Sequence, residues 1–238
     1  MKPIHTKIVT LILIILTVMF FIGVLTNNPF LEGLFKTLIL FTFVLFYFTK
    51  SRRKNLLFGG FLCFLTIAEG SKVYFDFKYD LFSATTNTFF IVAYLLLIFY
   101  IHSNINTVKV LKEYWLQTLF LFGSSLYILY NLNNIMSLAD KYDFYSYTYL
   151  IENAYNVIIL WLVSISLLSF LNLDNKRNML IFIISACFGL AEIIQVPYMF
   201  LSAKQSLHIG YSLLYLMGYL FVYIYVATRY NKQFKILA

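Results

Sequence analysis

The chain has 238 residues, of which 61% are hydrophobic and only 12% charged, with a formal net charge of +8. Soluble domains carry about 25% charged residues, so this composition excludes a water-covered globular protein. Unbroken apolar runs such as KIVTLILIILTVMFFIGVL exclude a membrane β-barrel, whose strands alternate in polarity over about 10 residues.

The expected fold is therefore all-α: a polytopic transmembrane helical bundle of about eight helices, forming one integral membrane domain over residues 1–238. Lys2 and Lys7 precede the first apolar run, over residues 7–26. That run exceeds the roughly 7–15 residue core of a signal peptide, and no small-x-small site follows before Asn27, so it is read as a retained helix. A span needs about 20 mostly apolar residues. Seven more are expected at 31–49, 56–75, 81–101, 114–136, 149–171, 178–200 and 206–228.

Basic residues cluster in alternate connections: Lys50, Arg52, Arg53 and Lys54, then Lys109 and Lys112, then Lys176 and Arg177, then Arg229, Lys232 and Lys235. The intervening connections dilute Lys72, Lys78, Lys141 and Lys204 with Asp76, Asp80, Asp140 and Asp143. Positive connections stay cytoplasmic, which puts both termini on that side. The basic excess is thus a topology signal, and no nucleic-acid partner is expected. Cys63 and Cys187 both fall within spans and read as inert thiols. His5, His102 and His208 are scattered, so neither a metal centre nor a cofactor is expected.

Two spans carry a carboxylate inside apolar sequence: Glu69 in FLTIAEGSKVYF and Glu192 in FGLAEIIQVPYMF. Superposing them pairs Leu65 with Phe188, Ala68 with Ala191, Lys72 with Gln195, Val73 with Val196 and Phe75 with Tyr198. The two segments lie four spans apart and so run in the same direction, as a 4+4 parallel internal repeat requires. Each Glu falls about 20 Å along its helix from the cytoplasmic end. Lys36, near the start of the second span, and Glu152, near the start of the sixth, fall in the same layer. Singly, each charge costs about 2.5–3.5 kcal/mol at a helix centre, a cost that facing one another across a bundle relieves. Lys36 and Glu152 also fit side chains that snorkel to the interface. Pro197, just after Glu192, is expected to kink the seventh span.

Two carboxyl groups beside a cation suit a general acid paired with a general base. They equally suit a proton relay in a carrier, or a polar layer that only locks helices together. These residues resemble those of the YhhN-type eight-span membrane proteins, which include the lysoplasmalogenases. FLTIAE at 64–69 resembles that family's Phe-x-x-x-Gly-Asp pattern, and FGLAE at 188–192 its Phe-x-x-Ser-Asp pattern. Lys36 in LFKTLILF and Tyr211 in HIGYSLLY resemble further family positions. The sequence departs in having glutamate for both aspartates, Tyr94 near the position of a family His, and Tyr215 where a Gln is expected.

The resemblance implies hydrolysis of the vinyl-ether bond of a lysoplasmalogen, a membrane lipid substrate, with Glu69 and Glu192 as acid and base. Lys36 is implied to hold the substrate phosphate or pair with a glutamate, and Tyr211 to hydrogen-bond a carboxyl. Gln195 and Glu152 complete the expected substrate-binding set. A bacterial cytoplasmic membrane is the expected location.

Overall fold

A computed structural model of the protein describes residues 4–50, 54–74, 80–137 and 147–230. The loop charges at Lys2, Arg52, Arg53, Asp76, Lys78, Asp140, Lys141, Asp143, Lys232 and Lys235 lie outside the described residues, as do Phe75 and its proposed pairing with Tyr198.

The described residues form α1 (Ile4–Leu25), α2 (Pro29–Lys50), α3 (Leu56–Tyr74), α4 (Asp80–His102), α5 (Thr107–Glu113), α6 (Trp115–Ser137), α7 (Tyr147–Asn172), α8 (Lys176–Phe200) and α9 (Gln205–Tyr230). The eight long helices follow the expected segments closely. The addition is α5, a short helix between the fourth and fifth spans, where the sequence reading placed only a loop. Asn106 starts it, its side chain accepting from the Lys109 amide.

By length and composition, α2, α3, α4, α7, α8 and α9 suffice to cross a membrane, whereas the described apolar part of α1 is the shorter stretch Val9–Leu25. Helix α6 falls short because Gln117, Ser124, Ser125, Asn131, Asn133 and Asn134 interrupt it. The bundle of about eight long helices expected from the sequence is thus present, and among the described residues six of them are long and apolar enough to cross a membrane.

Local chemistry sets the helix ends. Asn27 takes φ 50°, and the next residue, Asn28, accepts from the Leu31 amide at 3.1 Å. Pro29 fills the first position of α2, where a missing N–H costs nothing. Asn55 and Asn175 cap α3 and α8 in the same way, accepting from Leu57 N and Asn178 N at 2.9 Å each. Pro197 does not end α8, which runs on to Phe200. It removes only the hydrogen bond to the Ile193 carbonyl.

Six helices close into a ring, α2–α3–α4–α7–α8–α9 and back to α2. Exchanging α2, α3 and α4 with α7, α8 and α9 leaves this order unchanged, and α1 lies on α2 as α6 lies on α7. That arrangement is the one a parallel 4+4 repeat predicts. The symmetry is incomplete, because α1 also touches α9 whereas α6 touches α8. One end of the ring is fixed by Tyr47, whose hydroxyl accepts from Asn55 N at 2.7 Å, and by Arg177, whose Nε donates to Tyr225 at 3.3 Å. The starts of α3 and α8 therefore share an end, and the two helices are parallel.

Aromatic side chains fill the centre. Phe58 packs on Tyr225 and Tyr100, and Phe188 on Tyr215 and Tyr219. Cys63 and Cys187 are free thiols. Where α1 meets α2 the backbones nearly touch: a Cβ on Gly23 would lie 2.7 Å from the Glu32 amide nitrogen. Backbone cannot retreat as a rotamer can. Gly23→Ala should therefore destabilise by about 1–3 kcal/mol, as overpacking does, which thermal unfolding of the purified variant would measure.

Candidate functional site

A layer of polar side chains crosses the ring at the end opposite the Arg177–Tyr225 contact. Lys36 on α2 and Glu69 on α3 meet at 2.6 Å, the lysine 5% and the glutamate 1% exposed. Charge carries this contact, since no donor meets Glu69 Oε1 at a hydrogen-bonding angle. Lys72, one turn along α3, brings a second ammonium to 3.9 Å from Glu69 Oε2. Its own Nζ lies 4.4 Å from the centre of the Phe90 ring. Glu69 therefore faces two cations.

The Lys36 ammonium also stands 3.6 Å from the centre of the Tyr215 ring on α9. A cation over a phenol face is attracted by the ring quadrupole, more strongly when both are desolvated. The hydroxyl of that same ring donates to Glu192 Oε1 on α8 and lies 3.1 Å from Gln195 Oε1. The two glutamates are thus joined by Glu69, Lys36, Tyr215 and Glu192 in unbroken succession. No cation lies within 4.0 Å of Glu192 among the described residues. Its contacts are phenolic, with Tyr155 and Tyr94 also within electrostatic reach.

Helical spacing explains why α9 supplies this bridge. Tyr211, Tyr215, Tyr219 and Tyr223 recur every four residues and so share one face. Tyr211 was the member of this row expected to bind a carboxyl. The structure corrects that: Tyr211 packs against Tyr198 at 5.4 Å and His208 at 5.3 Å, and Tyr215 reaches Glu192. One helical turn separates the two tyrosines, and only the deeper one is level with Glu192. The stripe was visible in the sequence, but its depth relative to α8 was not.

The remaining expected residues fall beside this core. Gln195 faces Tyr215, as stated, and Glu152 on α7 accepts from Asn87 Nδ2 on α4 at 2.6 Å. Glu152 is thus held by an amide inside the ring and does not snorkel. On the α3–α4 side, Ser71 and Thr86 hydroxyls meet at 2.8 Å. Tyr94, near the position of the family His, is fully buried against Phe90 and Tyr155, and its hydroxyl has no well-directed partner. All six ring helices contribute polar groups to this layer.

A further pair lies nearer the end of the bundle. His208 Nε2 meets Glu32 Oε2 at 2.8 Å, while its Nδ1 lies 3.3 Å from Asn27 Oδ1. This contact ties the α1–α2 turn to α9, and the sequence reading missed it. Its signal was the Glu32 to Lys36 spacing of four residues, which puts both on one face of α2.

Tyr215→Phe keeps the ring under Lys36 and removes only the hydroxyl. It should cost about 1–3 kcal/mol, the penalty of a buried acceptor left without its donor. Chemical unfolding of the purified variant in detergent would report that loss, and an unchanged midpoint would mean that the Glu192 contact contributes nothing.

No family model, no curated protein and no solved structure matches this chain.

Proposed function

We propose that this protein is a membrane-embedded hydrolase that cleaves the vinyl-ether bond of a lysoplasmalogen-type lipid, as the YhhN-type family it resembles does. The observation that carries this reading is the joining of Glu69 and Glu192 through Lys36 and Tyr215. Acid–base hydrolysis needs two carboxyl groups in different settings within one site. Here one carboxylate faces two ammonium groups and the other a phenol.

That asymmetry supports an assignment of Glu192 as acid and Glu69 as base. Glu192 transfers its proton to the terminal carbon of the C=C–O unit, leaving an oxocarbenium ion. Glu69, beside Lys36 and Lys72, orients a water molecule, takes its proton as the oxygen adds, and faces the positive charge of the intermediate. The hemiacetal then collapses to a fatty aldehyde and a glycerophospho-alcohol: Glu69 gives the proton it took to the departing oxygen and Glu192 takes the proton of the hemiacetal hydroxyl, which restores both groups. Lys36 acts as Glu69's partner, which leaves the phosphate to other groups. The single chain of the lipid would lie among the Phe and Leu side chains between helices. By the positive-inside rule the Arg177 end faces the cytoplasm, as it would in a bacterial cytoplasmic membrane.

The test is aldehyde release from a vinyl-ether lysolipid by the purified protein. Absence of release from folded protein across several headgroups overturns the reading. A second reading, a proton-coupled carrier, is favoured by the His208–Glu32 pair, which continues the row of ionisable groups from Lys36 toward the end of the bundle. It predicts proton flux in liposomes, lost in Glu69→Gln and Glu192→Gln.

A further inference from the structure

The α4–α6 connection carries features that the reaction at the glutamates does not use. Residues 102–108 surround a shallow, open depression at the basic end of the bundle. Its walls present hydrogen-bonding side chains. Thr107 Oγ1 and His102 Nδ1 lie 2.9 Å apart, and Asn104 Oδ1 accepts from Arg177 Nη2 at 3.4 Å. Arg177 otherwise donates to the phenols of Tyr100 and Tyr225.

Lys109 and Lys112 follow this loop on α5, and Arg177, which reaches Asn104 of the loop, stands beside Lys176 at the start of α8. Tyr114 brings the two groups together, because its hydroxyl donates to the Leu171 carbonyl at the end of α7 at 2.9 Å. None of these four cations enters an ion pair among the described residues. Glu113 and Asp174 are the acidic residues of the same two segments.

The second observation concerns depth. Val108 and Leu111, three residues apart on α5, and Trp115 at the start of α6 are all exposed, Trp115 by 64%. Lys109 and Lys112 form the adjacent exposed stripe, and Val110 points inward. An apolar stripe with a Trp beside a basic stripe is the pattern of a segment lying at a membrane–water interface. The apolar side chains then meet acyl chains while the ammonium groups stand at headgroup level.

We propose that this connection binds the phosphate of an anionic phospholipid from the surrounding leaflet. Lys109, Lys112 and Arg177 hold the headgroup over the depression, and Val108, Leu111 and Trp115 lie against its chains. Charge complementarity selects an anionic over a zwitterionic lipid, since none of the four cations enters an ion pair among the described residues and they outnumber Glu113 and Asp174. The site is independent of the reaction at Glu69 and Glu192, so activity is not its readout.

The experiment is native mass spectrometry of the full-length protein released from nanodiscs of mixed phosphatidylcholine and phosphatidylglycerol. Wild type retains phosphatidylglycerol preferentially. Lys109→Ala/Lys112→Ala, which removes two exposed side chains and leaves the fold intact, binds it roughly thirtyfold more weakly, as expected for two lysines at an anionic surface. Lys204→Ala, at the opposite end of the bundle, behaves as wild type. Equal retention by the double variant, or an equal loss in Lys204→Ala, overturns the proposal. Displacement of the lipid by millimolar inorganic phosphate also overturns it, because the site would then belong to a free anion.

Discussion

Lys36→Met will lower stability more than any other single substitution in the polar layer. It leaves the Glu69 carboxylate, 1% exposed, with Lys72 at 3.9 Å as its remaining cation among the described residues. Removing one partner of a buried ion pair typically costs about 3–5 kcal/mol, because the remaining charge has lost its compensation without regaining water. Lys72 offsets part of that loss, so the lower end of the range is expected. Replacing both partners is a different matter, since well-packed apolar residues often match or exceed a buried pair in stability. Lys36→Met/Glu69→Leu should recover most of what Lys36→Met loses. A double-mutant cycle by chemical denaturation in detergent measures the coupling. Simple additivity of the two single substitutions would show that the 2.6 Å contact contributes no interaction energy of its own.

Under the proposed hydrolase function, the second large effect is on catalysis. Glu192→Gln keeps the volume and the acceptor oxygen for Tyr215 but has no acidic proton to give. Aldehyde release should fall by roughly 10²–10⁴-fold, the usual contribution of a positioned general acid. Glu69→Gln should fall comparably, because the amide neither accepts the water proton nor stabilises the oxocarbenium ion. The two variants separate in stability: Glu69→Gln strands Lys36 and unfolds more readily, whereas Glu192→Gln changes the unfolding midpoint little. Glu192→Asp tests geometry, since retreating by about 1 Å can cost on the order of a hundredfold. Full activity in Glu192→Gln would remove Glu192 from the chemistry.

These outcomes depend on placements of unequal visibility in the sequence. The apolar runs showed the long helices, because a stretch of about 20 apolar residues has few other uses. Glu69, Glu192 and Lys36 were visible for the complementary reason: a charge within such a run is costly and needs a partner. The repeat offset between FLTIAE and FGLAE also foreshadowed the ring, whose helix order is unchanged when its halves are exchanged. Helix α5 was less visible, because seven residues of mixed polarity between two spans look like a loop until Asn106 is seen to cap them. Tyr215 was named only as a departure from a pattern, and Glu32 was passed over among apolar neighbours.

Composition and charge placement alone determined that the chain is a helical membrane protein and that its glutamates require company inside it. Helical periodicity specifies which residues share a face, so the tyrosine row on α9 was implicit in the order of residues. It does not specify how far one helix slides along another or which helices become neighbours. Those are decided when six helices close into a ring and their side chains interdigitate. Only that closure set Lys36 between Glu69 and Tyr215, chose Tyr215 over Tyr211 for Glu192, and gave His208 to Glu32.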